Sequence, residues 1–307
     1  MPEPRPSRRR LARLVRKKLL WAAVAVPLII AAVSGWMTEP LRPPGPVAGS
    51  TPKFEPVPAP SPTLAPWPTA PMSGQPAMIL LRDSLLSART RLEAAGGYTA
   101  VLRKTERIKG TLGAEQILEM KCRHNKFAIY FKYRSPEPGK EVVYAVGRYD
   151  DQVVAHGTGF SRALIPRLKF PPDSALALSG NRHPITDAGL LNLTNRLIGF
   201  REMDLKDPEA GTVLERIKDA DGREWLRSIH THPHQNSGRP FQVVEVLYDP
   251  ATRIPMRIKN YDWQAPGDTG EPNLAEAYRY DDLKLGADLT DADFDPANPA
   301  YAFSRSW

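Results

Sequence analysis

One cysteine in 307 residues, Cys122, has no partner for an intramolecular disulfide, which excludes a small disulfide-stapled secreted fold. It stands in "LEMKCRH", where Leu118, Met120 and Cys122 alternate with Glu119, Lys121 and Arg123. That alternation makes it a small core residue on the buried face of a strand, and no paired base lies nearby to make it a reactive thiol. Basic charge is also scarce once it is located. The chain carries +8, but residues 1–18 hold eight Arg or Lys against Glu3 and account for +7, leaving +1 for the other 289 residues. A surface that tracks phosphates needs its excess charge spread over folded structure, so no nucleic-acid partner is expected. A Ser-centred nucleophile elbow, an HExxH pair, a Gly-rich phosphate loop and a spaced carboxylate pair are also missing. With them go the signatures of the common hydrolases and nucleotide-binding enzymes, so neither a catalytic residue nor a cofactor is expected.

What is present is ordered along the chain. The basic tail, 1–18, runs into Leu19–Met37, nineteen residues without a charge and with Trp21 and Trp36 near the ends. As a helix they would span about 28 Å, close to the hydrocarbon thickness, with the basic block kept on the cytoplasmic side. Cleavage after Ala32-Val33-Ser34 is the competing reading, and a lipoprotein anchor is excluded because no cysteine follows. Either way the remainder is expected outside the cytoplasm, in the periplasm if the inner membrane is the one crossed. Residues 38–76 form a Pro-rich linker, with thirteen prolines between Pro40 and Pro76. Fixed φ and missing donors make this an extended spacer reaching at most about 115 Å.

From residue 77 the pattern is that of one folded domain, 77–307. Leu81, Leu85, Ala88 and Leu92 recur at helical spacing, and Gly96-Gly97 stop the helix. Short β-branched and aromatic runs follow at regular spacing, including "QILEMKCRH", "FAIYFKY" and "EVVYAVGR", with turn residues between them. They read as an antiparallel meander, and the absence of intervening helices disfavours a parallel α/β sheet. Residues 158–205 break the pattern with loops and a helical stretch carrying Leu190, Leu193, Leu197 and Ile198, capped from Thr186 or Asp187. A second meander then runs from "TVLERI" to "AEAYRYDDLK". The fold class is α+β: an antiparallel sheet opened by one helix, with a helical insertion able to cover its inner face.

The stretch "SIHTHPHQ" sets His230, His232 and His234 at alternate positions. Pro233 ends the strand pattern, so only His230 and His232 share a face, and without a Cys or carboxylate pair they read as a polar strand end rather than a metal site. Asp291, Asp293 and Asp295 alternate like a calcium loop, but the EF-hand glycine and distal glutamate are missing.

The segments "KTERIKGTLGAEQILEMKCRHNKFAIYFKYRSPEPGKEVVYAVGRYDDQVVAHG", "RHPITDAGLLNLTNRLI", "LYDPATRIPMRIKNYDW" and "LTDADFDPANPAY" together resemble a bacterial family catalogued as domain of unknown function 1571, over residues 78–303. The resemblance implies the LolA/LolB lipoprotein-carrier fold, an unclosed, strongly curved sheet with an apolar concave side plugged by helices. The ligand would be a lipid, a lipidated protein or another amphiphile. Its trough would be lined by Leu118, Met120, Phe127, Ile129, Phe131 and Tyr144, under lid helices near Leu164 to Leu168 and at Leu190, Leu193 and Leu197; the alternative is that these rows form an ordinary packed core with no cavity. Arg182 and His183 would meet an anionic head group, with Asp187 fixing the arginine; the alternative is that Thr186 or Asp187 caps the helix while Arg182 pairs with an acid elsewhere. A membrane anchor fits tethered capture or handover better than free shuttling. An adaptor role toward an envelope protein, or a hydrolase using His183 or the His230/His232 pair, stays open beside it.

Overall fold

The computed structural model describes residues 64–158, 167–235, 238–265, 267 and 270–305. The basic tail, the apolar segment, most of the linker and Leu164 lie outside the described residues. Among the described residues, no helix is long and apolar enough to cross a membrane.

Helix α1 (Gly74–Ala95) buries Leu81, Leu85, Ala88 and Leu92 completely on one stripe. Each of the three leucines stabilises the fold by roughly 1.5–3 kcal/mol. Pro76 sits in the first turn, where its missing N–H leaves no bond unmade. Gly96 closes the helix in the left-handed region (φ 69°) and donates its N–H to Glu93 O.

Thirteen strands form one sheet. The first meander contains β2 (Gly97–Ile108), β3 (Thr111–Leu112), β4 (Gln116–Arg123), β5 (Ala128–Ser135), β6 (Glu141–Ala145), β7 (Val153–His156) and β8 (Leu168–Phe170). The second contains β9 (Gly211–Lys218), β10 (Glu224–Thr231), β11 (Val243–Tyr248), β12 (Pro255–Tyr261) and β13 (Leu274–Leu285). A two-residue strand, β1 (Met72–Ser73), pairs with β9. The order is β1-β9-β10-β11-β12-β13-β2-β4-β5-β6-β7-β8, with β3 a side branch on β2. Neighbours are antiparallel throughout, and the meanders join where β2 pairs with β13. The edges β1 and β8 do not pair, so the sheet is unclosed.

Register places one row of side chains across the inner face. Tyr280 faces Leu102, Leu118 and Tyr133 in turn, and beside it Ala100, Met120, Phe131, Val142, Ala155 and Leu168 follow one another. Tyr280 and Leu168 are six strand steps apart, about 29 Å on a flat sheet. Both border one cavity of about 500 Å³, so the sheet curls.

The two halves of the inner face are filled differently. Under the second meander, Leu80, Leu81 and Leu85 of α1 and Leu197 and Ile198 of α3 (Leu190–Asp204) pack against Leu214, Leu226, Val246 and Ile258. That half is plugged. The first meander is covered instead by residues 175–193, including the short helix α2 (Ala175–Leu178). Its outer face is closed by the C-terminal residues, where Phe294, Tyr301 and Phe303 pack on Ala128, Tyr130, Val143 and Val154. Tyr130 and Tyr301 stack with centroids 4.2 Å apart.

Four expectations need correction. The folded unit starts before residue 77: Trp67 is buried and donates Nε1–H to Pro250 O at 3.0 Å, and β1 and the first two residues of α1, Gly74 and Gln75, precede Pro76. Leu168 belongs to edge strand β8 rather than to a lid helix, because its backbone finds partners on β7. Neither Thr186 nor Asp187 caps α3: its N-cap is Gly189, at φ 102° and ψ 154°, with no side-chain cap bond. Asp187 lies in a separate 3₁₀ turn, Ile185–Asp187. Finally, Leu190 and Leu197 are packed inside the core rather than facing a ligand space.

Candidate ligand cavity

The cavity of about 500 Å³ lies between the first meander and the covering segment, within the range of small-molecule sites. Its floor is Leu102, Leu118, Phe131, Val142, Val153 and Tyr280, and its roof Leu176, Ile185 and Leu193. A second space of about 270 Å³ lies beyond it, between Cys122, Phe127 and Tyr144 on the sheet and Leu191 and Asn192 above. Ala188 and Gly189 border both, so these two residues form a strap between them.

The strap is tightly held. Leu190 N–H donates to Tyr98 Oη at 2.9 Å, and Asn192 Nδ2 donates to Thr186 O and Ala188 O, each at 2.9 Å. A Cβ at Gly189 would sit 3.2 Å from Cys122 Sγ, at a φ that side chains rarely adopt. Burial pushes the Cys122 thiol up to about 12, a tendency that its hydrogen bond with Tyr98 only partly offsets. This is the inert buried cysteine expected from the alternation.

At one end the cavity becomes polar. Lys104, Glu106 and Tyr278 stand next to each other on β2 and β13, with Gln116 on β4. Lys104 Nζ donates to Glu106 at 3.1 Å and to Asn181 Oδ1 at 2.5 Å. Tyr278 Oη donates to Glu106 Oε1 at 2.5 Å. Behind them Glu276, 2% exposed, accepts from Asn260 Nδ2 at 2.7 Å, lies 2.7 Å from His183 Nε2 and forms an ion pair with Arg182 Nε at 3.2 Å. Burial alone would raise the Glu276 carboxyl, but His183, Asn260 and Arg182 together hold it below its ordinary value. Arg182 Nη1 also donates to Arg107 O at 3.1 Å. The polar groups of 181–183 therefore latch the covering segment to the β2–β13 seam.

The expected site residues separate into groups. Leu118, Phe131, His183, Asp187 and Leu193 border the larger space, and Phe127 and Tyr144 the smaller. Met120 and Ile129 belong to the packed core around them, as do Leu190 and Leu197 in their own clusters. Arg182 stands in the latch, but Asp187 does not hold it: Asp187 pairs with Arg196 at 2.8 Å. The sequence reading missed Lys104, Glu106, Gln116 and Tyr278. Period-two alternation along "AVLRKTERI" puts Lys104 and Glu106 on the same face as Leu102, and that polar interruption of an apolar row was the available signal.

The histidine strand is structural. His230 lies between Thr212 Oγ1 (2.9 Å) and Ser228 Oγ (3.0 Å), fully buried. His232 Nε2 meets Asp204 Oδ1 at 3.0 Å and Nδ1 meets Phe241 O at 3.1 Å, while His234 is exposed. Asp204 also pairs with Arg201 at 2.7 Å and Arg239 at 3.0 Å. These buried charges tie the end of α3 to the second meander. Among the described residues, no cluster of three or more His, Cys, Asp or Glu side chains could hold a metal ion. Asp293 and Asp291 of the C-terminal acidic stretch pair with Lys121 (2.7 Å) and Arg123 (2.8 Å).

Fold and site define an unclosed antiparallel sheet with few helices, half plugged and half hollow. Over residues 95–303 the sequence matches the family described as "Protein of unknown function (DUF1571)", and the chain belongs to that family. No curated protein matches it by sequence. Among solved structures it is similar to the lipoprotein LppX of Mycobacterium tuberculosis (12% identity, 72% of this chain, all of that chain, TM-score 0.40). It is also similar to a putative outer membrane lipoprotein-sorting protein domain from Vibrio parahaemolyticus (13%, 70%, 95%, 0.31) and a LolA superfamily protein from Nitrosomonas europaea (14%, 70%, 97%, 0.28). Likenesses this distant carry no argument about ligand or activity.

Proposed function

We propose that this protein is a tethered binding module for a lipid, a lipidated protein or another amphiphile, held on the periplasmic side of the inner membrane. The observation that carries the reading is the contrast between the two halves of one inner face. The second meander buries its apolar row under α1 and α3, whereas the first keeps about 500 Å³ of space above Leu102, Leu118, Phe131 and Val142. Close packing is the rule in protein interiors, and a large apolar-walled space is the ordinary form of a ligand site. The tether rests on the sequence alone, on eight basic residues followed by nineteen uncharged ones.

The test fills the space. Ala155 lies on β7 between Val142 and Leu168 and borders the cavity, so Ala155→Trp places an indole inside it. Equilibrium binding of tritiated monomyristoylglycerol and myristate to the full chain in amphipol should be saturable for at least one probe and lost in Ala155→Trp. Absence of saturable binding of either probe, or binding indifferent to the indole, would refute the reading.

A further inference from the structure

The charge arrangement around the larger cavity points to the class of ligand head group, and this inference rests on the binding function proposed above. Among the described residues, three formal cations border the space, Lys104, Lys140 and Arg196, and each already has its carboxylate. Lys104 lies 3.1 Å from Glu106, Lys140 2.7 Å from Glu137, and Arg196 2.8 Å from Asp187. His183, which also borders it, lies 2.7 Å from Glu276. Among the described residues, the wall is thus a set of ion pairs with no net formal charge. An anionic head group at Lys104 would share that one cation with Glu106, and these two are only 9% and 8% exposed. Two largely buried negative charges would then face a single cation, a costly outcome. A cationic head group meets the same obstacle from the opposite side.

A polar group on that wall is unsatisfied among the described residues. The Gln116 side-chain oxygen is buried and has no hydrogen-bond partner, although Gln116 stands directly opposite Lys104 in the sheet and borders the cavity. A buried unmet acceptor is rare and calls for a donor. A hydroxyl serves either orientation of the amide, because it both donates and accepts. We infer that the ligand is an amphiphile with an uncharged, hydroxyl- or amide-bearing head placed at Gln116 and Lys104, its apolar tail running over Leu118 and Phe131 toward the strap at Ala188–Gly189. The earlier expectation of an anionic head at Arg182 and His183 is replaced, because both side chains are committed to Glu276.

The experiment compares two probes of equal chain length on the full chain in amphipol: tritiated monomyristoylglycerol, which is neutral and carries hydroxyls, and myristate, which is anionic. The neutral probe should bind at least tenfold tighter, and Gln116→Met, which keeps length but removes the amide, should weaken it about tenfold and narrow its preference over myristate. Circular dichroism of the variant should match the parent. Equal or tighter binding of myristate, or an unchanged neutral-probe affinity in Gln116→Met, would overturn the inference while leaving the binding function standing. Binding of neither probe would overturn both.

Discussion

Glu276→Gln tests whether the covering segment is latched as the geometry indicates. Glu276 is the buried acceptor that receives His183 and Arg182 from that segment, while Asn260 holds it from β12. The His183 contact is a hydrogen bond to a buried charged group, worth about 1.5–3 kcal/mol. Arg182 is partly exposed, so its ion pair adds only about 0–1 kcal/mol after solvent screening. Replacing the carboxylate by an amide keeps the shape and the room for Asn260 but removes most of that sum, so local opening should become easier by about 2–3 kcal/mol. At 1.36 kcal/mol per factor of ten, amide exchange at Asp187 and Ala188, whose N–H groups bond to Pro184 O and Ile185 O, should accelerate by about 30-fold to 160-fold. Hydrogen–deuterium exchange read by mass spectrometry reports this directly, with β11 as internal reference. Acceleration below threefold in 181–189, with β11 unchanged, would show that Glu276 does not hold the cover and refute the latch.

Acid should act on the buried carboxylates in the same direction. Asp204 and Glu276 both have folded-state values below their ordinary ones; burial opposes this, but Arg201, His232 and Arg239 outweigh it for Asp204, and His183, Asn260 and Arg182 for Glu276. Lowered carboxyl values contribute stability above the unfolded-state range near pH 4, and that stability is lost as pH falls through the folded values. Urea midpoints should therefore be flat from pH 7 to 5 and drop below about pH 4; a midpoint that rises on acidification contradicts the assignment. Gly189→Ala combines a left-handed φ with a 3.2 Å approach to Cys122 Sγ and should cost about 1–3 kcal/mol, seen as a lower thermal midpoint. A midpoint unchanged within a degree would show that the strap relaxes. Cys122, buried and with its thiol pushed up to about 12, should resist maleimide at pH 8 in the native chain and react in 6 M guanidinium. Stoichiometric labelling of the native chain would place it at the surface.

Much of the fold was legible along the chain because its signals are local. The stripe Leu81, Leu85, Ala88, Leu92 announces α1, and the alternations 118–122 and 129–133 announce β4 and β5, since period alone decides which side chains share a face. Gly96-Gly97 marks the helix end for an equally local reason. The N-terminus of α3 was misplaced, because Asp187 pairs with Arg196, nine residues on, and the helix starts only after Gly189. Leu168 escaped because a three-residue edge strand exists only through its partner β7.

The sequence by itself determined α1, the longer strands of the two meanders with their buried faces, and a domain that is nearly neutral once the N-terminal basic block is set aside. It did so because periodicity and composition are properties of neighbouring residues. Only the tertiary structure decided which half of the inner face is filled. Leu118 and Phe131 have the same character as Leu226 and Val246, yet the former border open space and the latter lie under α1 and α3. That difference depends on where the helices dock, which for α1 is set by contacts with residues more than a hundred positions away, and no single stretch of chain records it.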